Sequence, residues 1–525
     1  MPNDPIPEGR VKAFIDIGTN SIRILVVRIT PNHSYAILND EKETVRLGEN
    51  EFEGGVLQRE AMQRAATVCR HFVEMARAYE AKEILAVATS ATREARNKEE
   101  FLDLVKQQAG LDVHTISGKE EARLIYLGVS SGINLKGRRT LFIDIGGGST
   151  ELIVGGQTEY EYLDSLKLGA IRLTTQFFLP QESSPVSDER YALIERFVRS
   201  TSVRAVQQIE QFHIEQVYGS SGTIENLADI AMQHFHGRKR ERDDRLTRAQ
   251  LDEVVDVLRS LPLEKRRQLP GINPARADII IGGAAILQTL MHDLNLNEIA
   301  VTDRGLRDGL LIDSLLKSED AGLVSGLSVR ERSVLQLGRA CRFEEAHARH
   351  VARLALQLFD SAGRAKLHSL GARERELFQY AALLHDIGTF LNHVNHNAHT
   401  YYLIKNADLL GFDEEEINIM ATVGFFHRKI YPDKGHPEFA ALNRKSRETV
   451  RTLALFLQLA ESLDRRHTGI VQNVSLRMPN RESALLKIQA TQDCQMEVWG
   501  VQNQKKAFRK AFGRRLEVRA ITPDD

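Results

Sequence analysis

The sequence predicts an α/β architecture built twice, followed by an all-α region and a small α+β appendage. Three observations carry that prediction. The strand–turn–strand "FIDIGTNSIRILV" (14–26) returns without a gap as "FIDIGGGSTELIV" (142–154), at an offset of 128 residues. Strands alternate with helices as far as residue 316, which is the signature of an α/β layer. From residue 328 the apolar spacing becomes almost wholly helical. The expected domains are 11–135, 136–318, 325–475 and 480–525.

At 525 residues the chain is too long for one ordinary core and suits two to four domains. Apolar content of 42% and charged content of 27% belong to globular chains, not disordered ones. Lys and Arg total 70 against 71 Asp and Glu, a balance that speaks against a surface coated for nucleic acid or membrane. Cys69, Cys341 and Cys494 lie far apart, without metal-type pairing, and suit a reducing compartment. No run is apolar enough for a membrane span or a secretory leader, so a soluble cytoplasmic protein is expected.

Taken in order, "VKAFIDIG" and "IRILVVRIT" are strands flanking "TNS". Residues 58–79 form a helix, "EILAVATSA" (83–91) a strand, and "NKEEFLDLVKQQAG" an amphipathic helix stopped by Gly110. "DVHTI" is a short strand leading to a helix from Lys119. The programme restarts at 140, with helices at about 185–211 and a strand-to-helix turn in "QVYGSSGTIENLADI". "HGRKRERDDR" (236–245) is an exposed loop, and "DIIIGGAAILQTLMHDL" and "EIAVTDRGLRDGLLIDSL" close the second half. Residues 328–470 are helices. The last stretch reads as strand ("SALLKIQATQ"), strand ("QMEVWGVQ"), helix ("NQKKAFRKAFGRR") and strand ("LEVRAI").

The repeated turn has chemistry of its own. Small residues leave backbone N–H groups unshielded, free to converge on a phosphate. Both turns feed a β-strand, not a helix, so they are hairpin clamps, unlike Walker or Rossmann loops. The clamp residues are Gly18, Thr19, Asn20 and Ser21 in the first copy and Gly146, Gly147, Gly148 and Ser149 in the second. Asp16 and Asp144 stand just before the turns, suited to holding Mg²⁺ or a water. The second copy has Glu151 where the first has Arg23. A single such hairpin reads as a tight turn; two in matched register favour phosphate binding.

The motifs "DIGTNSIR", "ATSATREA", "ISGKEEARLIYLG", "DIGGGSTEL", "LGAIRLT", "GSSGTI" and "DRGLRDGLL" occur in one order. In this the chain resembles the actin, sugar kinase and Hsp70 superfamily. Within it the resemblance is to the exopolyphosphatase / guanosine-pentaphosphate phosphohydrolase (Ppx/GppA) family, strongest over residues 12 to 316. The resemblance implies two RNase H-like, actin-like domains. It also implies hydrolysis of terminal phosphate from polyphosphate or guanosine pentaphosphate with Mg²⁺ (or Mn²⁺), and a homodimer without a nucleic-acid partner.

Site roles follow from the same likeness. In "SGKEEAR", Ser117 and Glu120 fit a capping box. Glu121 on its own reads as a solvated first-turn Glu favoured by the helix dipole; the resemblance makes it the catalytic general base. Asp144 and Glu151, with Asp16, correspond to metal-side carboxylates. Arg93 corresponds to an arginine for the terminal phosphate, its local alternative being an ion pair with Glu94. Arg307 in "GLRDG" is a second candidate arginine, and Gly222 and Thr223 in "GSSGTI" open a helix whose amides suit a further phosphate.

Ten of the 17 His lie between His347 and His467. His347, His385, Asp386 and Asp464 resemble the H…HD…D signature of HD-domain phosphohydrolases, which implies a second divalent metal site in an HD-like domain. His399 and His427 are candidates to extend it to another ion. The basic stretches at 236–242 and 505–515 are placed to guide a polyanion, though charge runs also serve simply as solvated faces. Two readings compete with hydrolysis: a kinase or ATPase of the same superfamily, and a non-catalytic sensor of alarmone or polyphosphate.

Overall fold

The repeated hairpin is the centre of each of two sheets. A computed structural model describes residues 9–30, 34–49, 51–179, 182–316, 328–407, 409–428 and 431–521. The chain divides into two compact units, residues 1–326 and 327–525.

In the first unit, β1 (Arg10–Ile17), β2 (Ser21–Thr30), β3 (Ser34–Thr44), β4 (Glu83–Ala88) and β5 (Val113–Thr115) form a sheet in the order β3-β2-β1-β4-β5. The second sheet uses β6 (Thr140–Ile145), β7 (Thr150–Gly155), β8 (Tyr160–Leu166), β9 (Gln216–Ser220), β10 (Arg245–Thr247) and β11 (Glu298–Val301). Its order β8-β7-β6-β9-β11 repeats the first, with β10 added at the edge. Antiparallel and parallel pairings recur at the same places. Asp16 faces Arg23 across β1 and β2 as Asp144 faces Glu151 across β6 and β7. The duplication read in 13 residues therefore extends over both halves as two actin-like domains.

β6 and β7 are buried along their whole length, as strands covered on both faces must be. The helices Gly118–Ser130 and Leu306–Leu316 share one core with Phe14, Leu25 and Val27 of the first sheet. They approach backbone to backbone, because a Cβ on Gly309 would collide with the Leu124 carbonyl. The strand expected over 83–91 ends at Ala88, where Ser90–Glu94 turns helical. The helix expected from Lys119 starts at Gly118, with Ser117 Oγ accepting from Glu120 N; the Glu120 carboxylate is gripped by Arg123 at 2.7 and 2.8 Å.

The second unit packs helices such as Glu345–Arg364, Ala372–Leu383, Glu414–Phe425 and Arg444–Ser462 around Phe378, Phe426 and Phe456. Two stretches differ from expectation. "VQNVSLR" is a strand, β12 (Val471–Arg477), and "QMEVWGVQ" is a helix, Gln495–Gln502. In the latter Glu497, Gly500 and Val501 are buried at helical spacing, and Arg466 binds Glu497 at 2.8 and 2.9 Å. β12, β13 (Ser483–Ala490) and β14 (Arg515–Ile521) form one sheet. Leu476, Leu486, Ile488 and Phe508 belong to the same core as the helices, so residues 480–525 have no core of their own.

Candidate active site

The two turns face each other across a cleft in the first unit, with Asp16, Asp144 and Glu121 on its walls. The amides of Thr19, Asn20, Gly147 and Gly148 have no acceptor among the described residues, whereas Gly18 N and Gly146 N close their turns onto Ser21 and Ser149 carbonyls. Those open amides are what a phosphate clamp requires. The glycines answer a second need. A Cβ on Gly148 would lie 2.6 Å from Ser90 Oγ and 2.7 Å from Phe52, so the second turn reaches the first half only without side chains. Arg172 secures that approach: it donates to Gly148 O at 2.8 Å and to Glu94 at 2.7 Å, and stacks on Phe52.

Glu121, in the first turn of its helix, is buried and accepts from Arg93 Nη1 at 2.8 Å. Arg93 also donates to the Ile116 carbonyl at 3.1 Å. Glu94, the other candidate partner, is held instead by Lys167 and Arg172. Burial raises the Glu121 carboxyl above the usual carboxylate range; Arg93 pulls it down, and Asp16 and Asp144 push it up again.

Three more carboxylates are buried nearby. Burial lifts Asp144 to about 6, against the Ser220 hydroxyl that donates to it. Glu151 is raised well above its ordinary value by burial and by the charges of Glu121 and Asp144, and it accepts from Ser165 Oγ at 2.7 Å. Burial also raises Asp16, whose Oδ1 has no hydrogen-bond partner. Buried carboxylates that raise one another, with Asp16 Oδ1 left without a donor, are oxygen ligands of the kind a hard divalent cation takes, although they do not converge as tightly as the two clusters of the second unit.

Not every expected residue reaches the cleft. Ser221 lines it, but Gly222 lies beneath the Arg276 guanidinium and Thr223 is turned into the core against Gly283. Arg307 is taken by Asp40 of β3, although its charge still steadies Asp16. Arg276 lies on the cleft wall with Arg23, and neither side chain makes a hydrogen bond or ion pair among the described residues. Arg276 sits in "NPAR", where nothing in the sequence marks it; Ser165 lies just before "LGAIRLT" and Ser220 within "GSSGTI", neither showing which acid it would meet. In the basic stretch 236–242, Arg238 is neutralised by Asp244 and Arg240 by Asp229.

In the second unit His347, His385, Asp386 and Asp464 are divided between two clusters. His347 and His385 converge with Glu461; Asp386 converges with His396 and His427. Asp464 is drawn behind His347, accepting from Nδ1 at 2.8 Å, because its other oxygen holds Gly469 N. His399 stands outside both groups. Glu461 and His396 were invisible as ligands in the sequence, since only the tertiary fold brings them to their partners. The Nδ1 atoms of His385, His396 and His427 face the carbonyls of Ala382, His393 and Gly424 at 2.7–2.8 Å, which leaves each Nε2 aimed inward. His347 Nε2 lies 3.3 Å from Glu461 without hydrogen-bond geometry, as does Asp386 Oδ1 at 3.3 Å from His396 Nε2. Burial opposes the charge of His347, yet Asp464 and Glu461 outweigh it and raise it to about 10; burial drops His427 to about 3.

Residues 25–318 match the model of the Ppx/GppA phosphatase family, and residues 329–502 match Ppx/GppA phosphatase domain III. A guanosine-5'-triphosphate,3'-diphosphate pyrophosphatase of Aeromonas salmonicida is 29% identical over 467 residues, 89% of this chain and 90% of that one. Among solved structures, an exopolyphosphatase from Cytophaga hutchinsonii superposes with a TM-score of 0.55 at 26% identity, covering 59% of this chain and 99% of its own. An exopolyphosphatase-like protein superposes with a TM-score of 0.54 at 26% identity, covering 58% and 98%. Among the described residues no helix is long and apolar enough to cross a membrane. Its paired hairpins, its duplicated sheets and the matches over both units make this chain a member of the Ppx/GppA phosphatase family.

Proposed function

We propose that the chain hydrolyses the terminal phosphoanhydride bond of inorganic polyphosphate and of guanosine pentaphosphate, with Glu121 as general base. The observation that carries this is a buried, Arg93-held Glu121 facing two turns with open amides. The turn amides and Arg93 hold the terminal phosphate, and Glu121 orients a water and takes its proton as the new P–O bond forms and the bridging P–O bond breaks. The shortened chain departs along the wall that carries Arg23 and Arg276. Asp16, Asp144 and Glu151 would hold Mg²⁺ or Mn²⁺, which when bound neutralises charge on the phosphoryl oxygens. The fit rests on the orphaned Asp16 Oδ1 and on the mutual repulsion of the buried acids.

The test is phosphate release with Mg²⁺ from long-chain polyphosphate and guanosine pentaphosphate in parallel, using wild type, Glu121→Gln and Asp386→Ala. Release lost only in Glu121→Gln supports the proposal. Release that survives Glu121→Gln and fails in Asp386→Ala would move the chemistry to the second unit. Transfer from ATP to an acceptor would favour a kinase, and tight binding without turnover a sensor.

For the second unit we propose divalent metal binding by His347, His385 and Glu461, and by Asp386, His396 and His427. The convergence of three ligand atoms in each group and the inward Nε2 atoms of His385, His396 and His427 support it. Elemental analysis of purified protein should find metal that falls by one equivalent each in His385→Ala and His427→Ala; equal content in all three proteins would overturn the proposal.

A further inference from the structure

A second cavity of ≈ 450 Å³ lies on the other side of the Arg93–Glu121 pair from the cleft. Arg93, Lys119 and Lys167 line it, with Glu94, Asp164 and Ser165. Its acids are already engaged: Glu94 by Lys167 and Arg172, Asp164 by Ser165 N at 2.9 Å. Lys119 is exposed and makes no hydrogen bond or ion pair among the described residues. The cavity and the cleft share Ser149 of the second turn, and Arg93 of the cavity meets Glu121 of the cleft.

Displacement at phosphorus brings the attacking oxygen in line with, and opposite to, the leaving oxygen. The Arg23 and Arg276 side chains, without a hydrogen bond or ion pair among the described residues, line the cleft and not the second cavity. They therefore define the side on which the remaining polyanion lies. The attacking water and the phosphate it becomes part of belong to the opposite side, where Arg93 reaches Glu121 from the second cavity. Once the bridging bond has broken, the product is a small dianion or monoanion beside Arg93, and the long chain still blocks the cleft.

We propose that this second cavity is an orthophosphate site, occupied by the released product on Arg93, Lys119 and Lys167 while the shortened chain remains in the cleft. The inference rests on the hydrolytic reading above. It has a kinetic signature, because product and substrate occupy different cavities: orthophosphate inhibits without competing with long-chain polyphosphate.

The test pairs inhibition kinetics with calorimetry, using inorganic phosphate as the probe on the full chain. Noncompetitive inhibition is expected, with an inhibition constant that rises about tenfold in Lys119→Glu, and separately in Lys167→Gln, as loss of one charge-assisted contact implies. Purely competitive inhibition, or an inhibition constant unchanged in both variants, would overturn the site. If neither substrate is turned over, the hydrolytic reading fails by itself and calorimetry decides the site. Phosphate binding by wild type that weakens in Lys119→Glu sustains it, whereas no binding, or binding indifferent to both lysines, removes it.

Discussion

Arg93 Nη1 donates to Glu121 Oε2 over 2.8 Å, and both side chains are largely withdrawn from solvent. The pair joins the short helix after β4 to the first turn of the Gly118–Ser130 helix. It gives a carboxylate that burial would keep protonated the counter-charge it needs to ionise. In the proposed reaction the same guanidinium would serve both Glu121 and the terminal phosphate.

Replacing either partner should have distinguishable effects. Glu121→Gln keeps the shape and is expected to lower kcat by about 10²–10⁴ with KM nearly unchanged. Arg93→Ala should lower kcat and raise KM together, and Arg93→Lys should recover only part, since an ammonium cannot span Glu121 and phosphate as a fork does. Steady-state phosphate release with short and long polyphosphate separates these outcomes. Equal loss in Arg93→Lys and Arg93→Ala would deny the fork its role.

Gly148 is expected to tolerate no side chain. An added Cβ would meet Ser90 Oγ at 2.6 Å, Phe52 at 2.7 Å and Thr19 Oγ1 at 2.9 Å, and so push the second turn away from the first. Gly148→Ala should cost about 1–3 kcal/mol of stability by overpacking. Turnover should fall further than the fraction folded, which circular dichroism at the assay temperature would check.

Glu51 supplies a pH dependence away from the carboxylates of Asp16, Glu121, Asp144 and Glu151. It is 1% exposed, its Oε2 has no partner, and burial raises it from 4.5 to about 7, with Arg172 pulling down and Glu94 pushing up. Because the folded value is the higher one, its contribution is fully present below about 4.5 and is lost as pH rises through about 7. Ionised Glu51 then costs roughly 2–3 kcal/mol. Glu51→Gln should match wild type in Tm near pH 5 and exceed it near pH 8.5. Parallel Tm curves across that range would refute the assignment.

What the sequence made legible was local. A hairpin fixes its own register, so the match of Asp16 with Asp144 and of Arg23 with Glu151 could be read from two short stretches. The first turn of a helix likewise shows its cap: Ser117 takes the Glu120 amide as expected, while the Glu120 carboxylate is held by Arg123. Long-range pairings left no such trace. Glu461 is three residues before Asp464 and looks like any helix acid until His347 arrives from one other helix and His385 from the turn after a second. "QMEVWGVQ" alternates convincingly as a strand, and only Arg466 seizing Glu497 shows which residues turn inward.

The C-terminal sheet offers the sharpest test of that difference. Residues 480–525 look like a detachable appendage in sequence, yet β13 pairs with β12 on one side and β14 on the other, while Leu486, Ile488 and Phe508 are fully buried with Phe456 and Leu459 in one core. A chain cut after Pro479 leaves β12 as an unpaired strand and strips one wall from that core. Burial of this kind is worth about 1.5–3 kcal/mol per large side chain, so losing three exceeds half the stability of an ordinary domain. The shortened chain should therefore retain a protease-resistant fragment near residues 9–316 and lose the one beyond 328. A resistant helical fragment ending near 479 would show instead that the helices hold a core without the sheet.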